Sequence, residues 1–301
     1  MAANKKANAI KEAITLTASM PDYAGYADYF LQTETKFRLQ NSYSENLTVT
    51  LKVWDDKNLA VPYETTVEVP YESAAEVSVN GLFSPLTLAE NNELFVSTVH
   101  FSAEIDKTEV ASGEKQITAL PYDYWEGLSG NAERVAAFVR PRLSDCARIL
   151  ENAGKRLKKW DESADLYGYA GADKNAVRKI FAAVFSAVKQ YEIEEDAAPD
   201  LTQPCRAVSE ISALKSRRAT SLELAVLCAA ALESARLSPV IAIGEKEASV
   251  GVWLLDTCFA DTVTDDKETV EKYASDGINS LAFIDVKDLF EGSNAAFTSS
   301  Q

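Results

Sequence analysis

The chain has 301 residues, 47 % of them hydrophobic, which is enough for about two packed domains. Acidic residues outnumber basic ones 46 to 30, for a net charge of −16 and a pI near 4.6, so direct nucleic-acid binding by this segment is not expected, because phosphate contacts need a basic face. No apolar run approaches the length of a membrane span. The amino end, MAANKKANAIKEA, is basic but has no apolar stretch, so it does not read as a secretory signal.

Residues 1–9 read as a flexible amino terminus. From Ile10 to Pro121 the pattern is strand after strand. Ile14–Ala18, Lys36–Leu39, Asn46–Trp54, Thr66–Val69, Ala75–Val79, Leu94–Ala103 and Lys115–Leu120 are the predicted strands. Leu47, Val49, Leu51 and Val53 alternate most clearly. Asn41-Ser42, Asp55-Asp56, Glu90-Asn91-Asn92 and Ala111-Ser112-Gly113 supply the turns. About seven short strands over some hundred residues predict an all-β, immunoglobulin-like sandwich, here without the Cys–Trp–Cys pattern of antibody domains. His100, the only histidine, falls in one of these strands. No second ligand type clusters near it, so it reads as a strand-face residue.

Residues 122–130 form an aromatic linker. Tyr122, Tyr124 and Trp125 follow Pro121 closely and predict an apolar seam; a ligand platform is the alternative. Helices are predicted over Ala132–Val139, Leu143–Trp160 and Lys174–Tyr191. The second carries an apolar stripe of Cys146, Ile149, Leu150, Ala153 and Leu157. Its Lys155, Arg156, Lys158 and Lys159 read as a solvated face. Asp173 is the expected cap of the third. Tyr167-Gly168-Tyr169-Ala170-Gly171 reads as a loop, and Glu192–Pro204 as an acidic loop. Ser209, Ser212 and Ser216 lie in Cys205–Ser216, with no evident base, and receive no role. Four cysteines, Cys146, Cys205, Cys228 and Cys258, are widely spaced. No pair has metal-ligand spacing, so no metal or cofactor is expected. Reduced thiols in a cytoplasmic protein are the expected state.

The stretch from Arg218 to Trp253 organises the second half. Thr220 or Ser221 caps a predicted helix, with Glu223 in its first turn. Leu222, Ala225, Val226, Ala229, Leu232 and Ala235 recur at helical spacing, and the many alanines predict close packing on both sides. Arg236 and Pro239 mark its end. Val240–Ile243 and Ala248–Leu255 read as strands around the turn Gly244-Glu245-Lys246. Thr264-Asp265-Asp266 caps a helix over Lys267–Ala274, and Leu281–Val286 is a last buried strand.

This order resembles the core of a transglutaminase-like (papain-like cysteine peptidase) domain. The likeness is to the divergent version at the amino end of large bacterial superfamily-1 helicase and nuclease fusion proteins. In that family the helix opens Gly-Thr-Cys-Leu-Asp-Leu-Ala, and the later strand reads Gly-His-Ala-Phe-Val-Gly-Val-Trp-Leu. Here the matching stretches are Ala219-Thr220-Ser221-Leu222-Glu223-Leu224-Ala225 and Lys246-Glu247-Ala248-Ser249-Val250-Gly251-Val252-Trp253-Leu254. Ser221 and Glu247 therefore stand at the thiol and imidazole positions, 26 residues apart, the spacing the family carries. Tyr122-Asp123-Tyr124-Trp125-Glu126-Gly127 resembles the family's interdomain stretch. The resemblance implies an immunoglobulin-like sandwich over 10–121, then an α+β transglutaminase-like domain over 131–290. It also implies a tail, 291–301, that runs on into more protein, as in a helicase-type defence protein. No nucleotide-binding Gly-Lys-Ser/Thr occurs within the chain.

A papain-like site needs a thiol at a helix amino end and an imidazole within hydrogen-bond reach. A hydroxyl needs a stronger base than an ordinary carboxylate. Ser221 and Glu247 thus read as a helix cap and a surface acid in a catalytically dead site. Asp256 and Asp261 are candidates for the vestigial third residue that the resemblance implies. Cys228 falls two turns below Ser221 on the same helix and reads as buried. The first expectation is a non-enzymatic interaction or scaffolding module. The alternatives are a hydrolase or acyltransferase using Ser221 and Glu247, and a peptide-binding module whose residual cleft, with Glu247 and Asp256, prefers basic ligands. Tyr122, Tyr124, Trp125 and Trp253 are the aromatic candidates for binding. Its partner is expected to be a protein, or other domains of a longer chain.

Overall fold

The computed structural model describes residues 2–31 (side chains from Asn8), 33–170, 173–208, 210 and 217–293. Gly171, Ser209, Ser212, Ser216 and the tail from Asn294 lie outside the described residues. The chain is mixed α/β with several separate sheets. It divides into two compact units, Met1–Tyr124 and Trp125–Gln301. No described helix is long and apolar enough to cross a membrane.

The first unit opens on helix α1 (Ala2–Ala13), which runs directly into β1 (Ile14–Ser19). Residues 1–9, read as flexible, are helical from Ala2 onward. Alanine, lysine and glutamate favour a helix, but one isoleucine gives no apolar stripe to read. That isoleucine, Ile10, is buried with Ile14. After β2 (Tyr23–Ala24) and the single turn α2 (Asp28–Leu31) come β3 (Glu34–Asn41), β4 (Leu47–Asp55), β5 (Tyr63–Val69) and β6 (Ser73–Asn80). Short helix α3 (Pro85–Glu90) then leads to β7 (Phe95–Ile105) and β8 (Thr108–Ala119).

One sheet has the order β1-β3-β6 and the other β2-β8-β7-β4-β5. The alternation in β4 buries Leu47, Val49, Leu51 and Val53, as period-2 patterning requires. Phe37 and Val79 from the three-stranded sheet share one core with Leu51, Val99, Phe101 and Ile117 from the five-stranded sheet. The Phe37 and Phe101 rings meet edge to face at 5.6 Å. The two sheets therefore form layers over a common apolar interior.

The β7–β8 hairpin corrects one expected turn. Ala111-Ser112-Gly113 lies inside β8, and the chain reverses at Asp106-Lys107, with φ of 50° and 63°. Both central residues need positive φ in the tightest hairpins, and Asp tolerates it. Gly113 serves another end. A Cβ there would sit 2.6 Å from the Phe101 ring, so glycine admits the aromatic face.

In the second unit, the helix predicted over Ala132–Val139 is a 3₁₀ helix spanning Ala132–Phe138. It is followed by α4 (Ser144–Trp160) and α5 (Lys174–Lys189), the latter capped by Asp173, whose Oδ1 accepts from Ala176 N–H at 2.7 Å. The Tyr124–Trp125 pair (β9) and the two-residue strands β10 (Glu194–Glu195), β11 (Cys205–Arg206) and β12 (Arg218–Ala219) flank the route into α6 (Ser221–Ser234). β10 and β12 pair in parallel. A three-stranded antiparallel sheet follows, ordered β13 (Pro239–Ile243), β14 (Ala248–Trp253) and β15 (Leu281–Ile284). Helix α7 (Lys267–Ala274) connects the last two, capped by Asp266.

Every residue of α6 from Ser221 to Leu232 is buried. A helix that is apolar all round has to be enclosed. It packs on α4 and α5, and on β13 and β14. Its carboxyl end closes as a Schellman motif. Leu237 N–H reaches Leu232 O at 3.0 Å, Arg236 N–H reaches Glu233 O at 2.8 Å, and Arg236 has φ of 60°.

Candidate functional site

The amino end of α6 is where the sequence places the chemistry. Buried helix ends must satisfy their orphan amides. Thr220 does so as the cap: its hydroxyl accepts from Glu223 N–H at 3.3 Å, and Glu223 Oε2 accepts from Thr220 N–H at 2.8 Å. This is a complete capping box. Ser221, the first helical residue, is left with its hydroxyl free of capping. That hydroxyl accepts from Ala248 N–H at 3.1 Å in a buried setting.

The sheet explains that bond. Gly244 N–H donates to Glu247 O at 2.8 Å, so Glu247 turns its backbone toward β13. Ala248, one residue on, turns its N–H the opposite way. Its pairing with β15 begins only at Val250. Ser221 supplies the acceptor that β15 does not reach.

Ser221 and the Glu247–Ala248 peptide are thus adjacent. The side chains diverge. Glu247 is exposed and its carboxylate is ion-paired with Lys287. The hydrogen bond to Glu247 raises the Lys287 ammonium above its ordinary range. Among the described residues, no hydrogen bond joins Glu247 to Ser221. Asp256 and Asp261 are both exposed, in the chain that follows β14. The Tyr169 phenol is raised first by burial and also by the field of Asp256. It donates to Trp253 O at 2.7 Å and accepts from Ser238 N–H at 3.0 Å, pinning β14 to the end of α6.

Glu223 is the group whose chemistry the motif alone does not show. Its carboxylate is 3 % exposed, and burial raises its pKa. Arg206 Nε lies 3.5 Å from Oε1, a charged contact too long for a good hydrogen bond. The signal available in the sequence was Thr-x-x-Glu ahead of an apolar run. Arg206, Cys205 and Lys287 carried no such signal, because they reach this place from distant parts of the chain.

Three thiols are withdrawn from chemistry. Burial pushes Cys228 and Cys205 up to about 12, and Cys146 to about 11. Cys258 is exposed. In the first unit, His100 stacks on Trp54 at 5.6 Å between Asp56 at 3.3 Å and Glu114 at 3.6 Å. Its ring is engaged on the outer side of the five-stranded sheet. The aromatic candidates separate. Trp125 and Trp253 are 1 % and 2 % exposed, and Trp253 packs edge-on against Phe259 and Tyr273. Their rings are not presented to a ligand. Tyr122 is exposed and Tyr124 partly so. Among the described residues no cluster of metal-binding side chains occurs.

No protein-family model matches the chain, and no curated protein matches it. Parts of several solved structures are similar. The CARDB domain of a Pyrococcus furiosus protein, in complex with di-metal ions, matches at 12 % identity over 36 % of this chain and 86 % of that one, with a TM-score of 0.25. The alkylpurine DNA glycosylase AlkC of Pseudomonas fluorescens matches at 9 % over 35 % of this chain and 29 % of that one, with a TM-score of 0.24. The exo-chitosanase CsxA of Amycolatopsis orientalis matches at 11 % over 62 % and 29 %, with a TM-score of 0.26. The matched part is under a third of the length of the latter two. Likeness at this level carries no argument about fold or function.

Two outcomes follow from the burial around α6. In native protein under mildly alkaline conditions, a thiol reagent modifies Cys258 rapidly and the three buried cysteines only after unfolding; mass mapping of the labelled peptides checks this. The second concerns Glu223. Its folded pKa lies above the unfolded value of about 4.5, so the folded state holds the extra proton. Its contribution to stability is full below about 4.5 and is lost as pH rises through the folded pKa. Glu223→Gln keeps the capping acceptor and removes that loss. Its urea midpoint should therefore gain on the parent chain as pH rises from about 4.5 toward neutrality; a gap that is flat or narrows would exclude a raised Glu223.

Proposed function

We propose that the chain is a non-enzymatic interaction or scaffolding module built on a transglutaminase-like framework behind an immunoglobulin-like sandwich. The two stacked sheets of the first unit support the sandwich reading. The order of α6, β13 and β14, with Ser221 beside the Glu247–Ala248 peptide, supports the transglutaminase-like reading. On this reading the partner is a protein, or further domains of a longer helicase-type product, and the setting is the reducing cytoplasm. The segment itself does not hold nucleic acid.

One observation carries the loss of chemistry. The Ser221 hydroxyl oxygen accepts from Ala248 N–H, while the acid at the imidazole position is paired outward with Lys287 and so is not aimed at the Ser221 proton. A serine at a helix amino end is a nucleophile only when a base takes its proton.

The test is direct. The purified chain is offered a fluorophosphonate probe, an activated ester and a peptide amide. The reading expects no label on Ser221 and rates equal to those of Ser221→Ala. Turnover that disappears in Ser221→Ala would replace it with the serine hydrolase or acyltransferase alternative.

A further inference from the structure

The sheet of the second unit ends, at β13, on a strand that has no outer neighbour among the described residues. The ladder shows which of its groups are unspent. Ser238 O accepts from Trp253 N–H at 3.1 Å and Gly244 N–H donates to Glu247 O at 2.8 Å. Antiparallel strands alternate, so Val240 and Ala242 spend their backbone groups on β14. Ile241 and Ile243 turn theirs outward, as does the carbonyl of Pro239. Position 239 is one of the places where a missing N–H costs the β13–β14 ladder nothing, since it faces the open side.

The side chains point the same way. Ile241 lies in register with Val250 and through it with Ile284, which are 0 % and 2 % exposed. A buried apolar row therefore runs to the edge and stops at a partly exposed isoleucine. The strand reads Pro-Val-Ile-Ala-Ile; Pro239 at its start is its one edge-blunting residue, and from Val240 to Ile243 it has no lysine, inward charge or bulge.

We propose that this edge pairs with the same edge of a second copy of the chain, antiparallel, about a two-fold axis at Ile241. Self-pairing in this register satisfies the groups that are free. The two Ile241 residues exchange N–H and C=O. Each Ile243 N–H meets a Pro239 carbonyl. The donor that Pro239 lacks lies opposite an Ile243 carbonyl, which water satisfies. Val240 of each copy meets the small Ala242 of the other, and the buried row continues across the axis. A two-fold interface of this kind closes on itself and builds no fibre. Each copy carries −16, so long-range repulsion opposes the pairing and added salt strengthens it.

Sedimentation equilibrium of the full chain tests this, over a wide concentration range at low and high salt. The expected result is a monomer–dimer equilibrium that tightens with salt. Ala242→Lys, at an exposed position, adds the missing edge charge, and Ile243→Pro removes an outward donor without touching β14. Each is expected to weaken the dimer by about tenfold or more. Hydrogen exchange on the unaltered chain reads the same contact without any variant. The Ile241 and Ile243 amides should exchange fast when dilute and slowly when concentrated, while Val240 and Ala242 stay protected throughout. A monomer at every concentration, a dimer indifferent to both variants, or Ile241 and Ile243 amides protected in dilute monomer would each overturn the proposal.

Discussion

The enclosure of α6 is the constraint from which the second unit follows. A helix buried on all sides gives up water as a partner for its first amides, and each unsatisfied group would cost about 1–3 kcal/mol. Thr220 and Glu223 answer that cost with a reciprocal box. The answer carries its own expense, because a carboxylate 3 % exposed resists ionisation. The helix dipole and Arg206 offset part of this. Ser221, released from capping by its neighbour, is then available to hold Ala248 and with it the start of β14.

The same packing shapes the sheet. Gly251 on β14 lies beside Phe283 of β15, where a Cβ would come within 2.6 Å of the ring. The aromatic therefore packs close against the strand at Gly251, and β14 is buried along most of its length. At the carboxyl end of α6, Gly168 with φ of 62° passes within reach of the Arg236 carbonyl, where any side chain would collide. Tyr169, next in sequence, then ties Trp253 and Ser238 together. Helix, turn and strand are fixed at both ends, and the freedom left is at the outer edge of β13.

Much of this was legible in the residues. Alternation placed β4, periodicity placed α4 and α5, and Asp173 and Asp266 marked helix starts, because each of these is a local signal. The α6–β13–β14 order was readable for the same reason. What escaped reading depends on contacts between distant segments. Gly113 looks like a turn until Phe101 is seen across from it. The amino-terminal helix has a single apolar anchor, Ile10, too little for any periodicity. Trp125 and Trp253 are offered by composition as binding residues, yet burial takes both. The direction of the Glu247 side chain depends on Lys287, 40 residues away, and nothing local announces it. Positions 221 and 247 and the surface placement of Glu247 were read from sequence; the Lys287 partner and the Ser221–Ala248 bond were not, because both join distant segments.

The central claim is that Ser221 is held for structure, as the acceptor of a buried strand amide. The stability of Ser221→Ala in urea measures this most directly. Leaving Ala248 N–H buried without a partner predicts a loss of about 1–3 kcal/mol in the second unit. A variant as stable as the parent, or more stable, would contradict the account, since that is how residues kept for chemistry at the expense of stability behave.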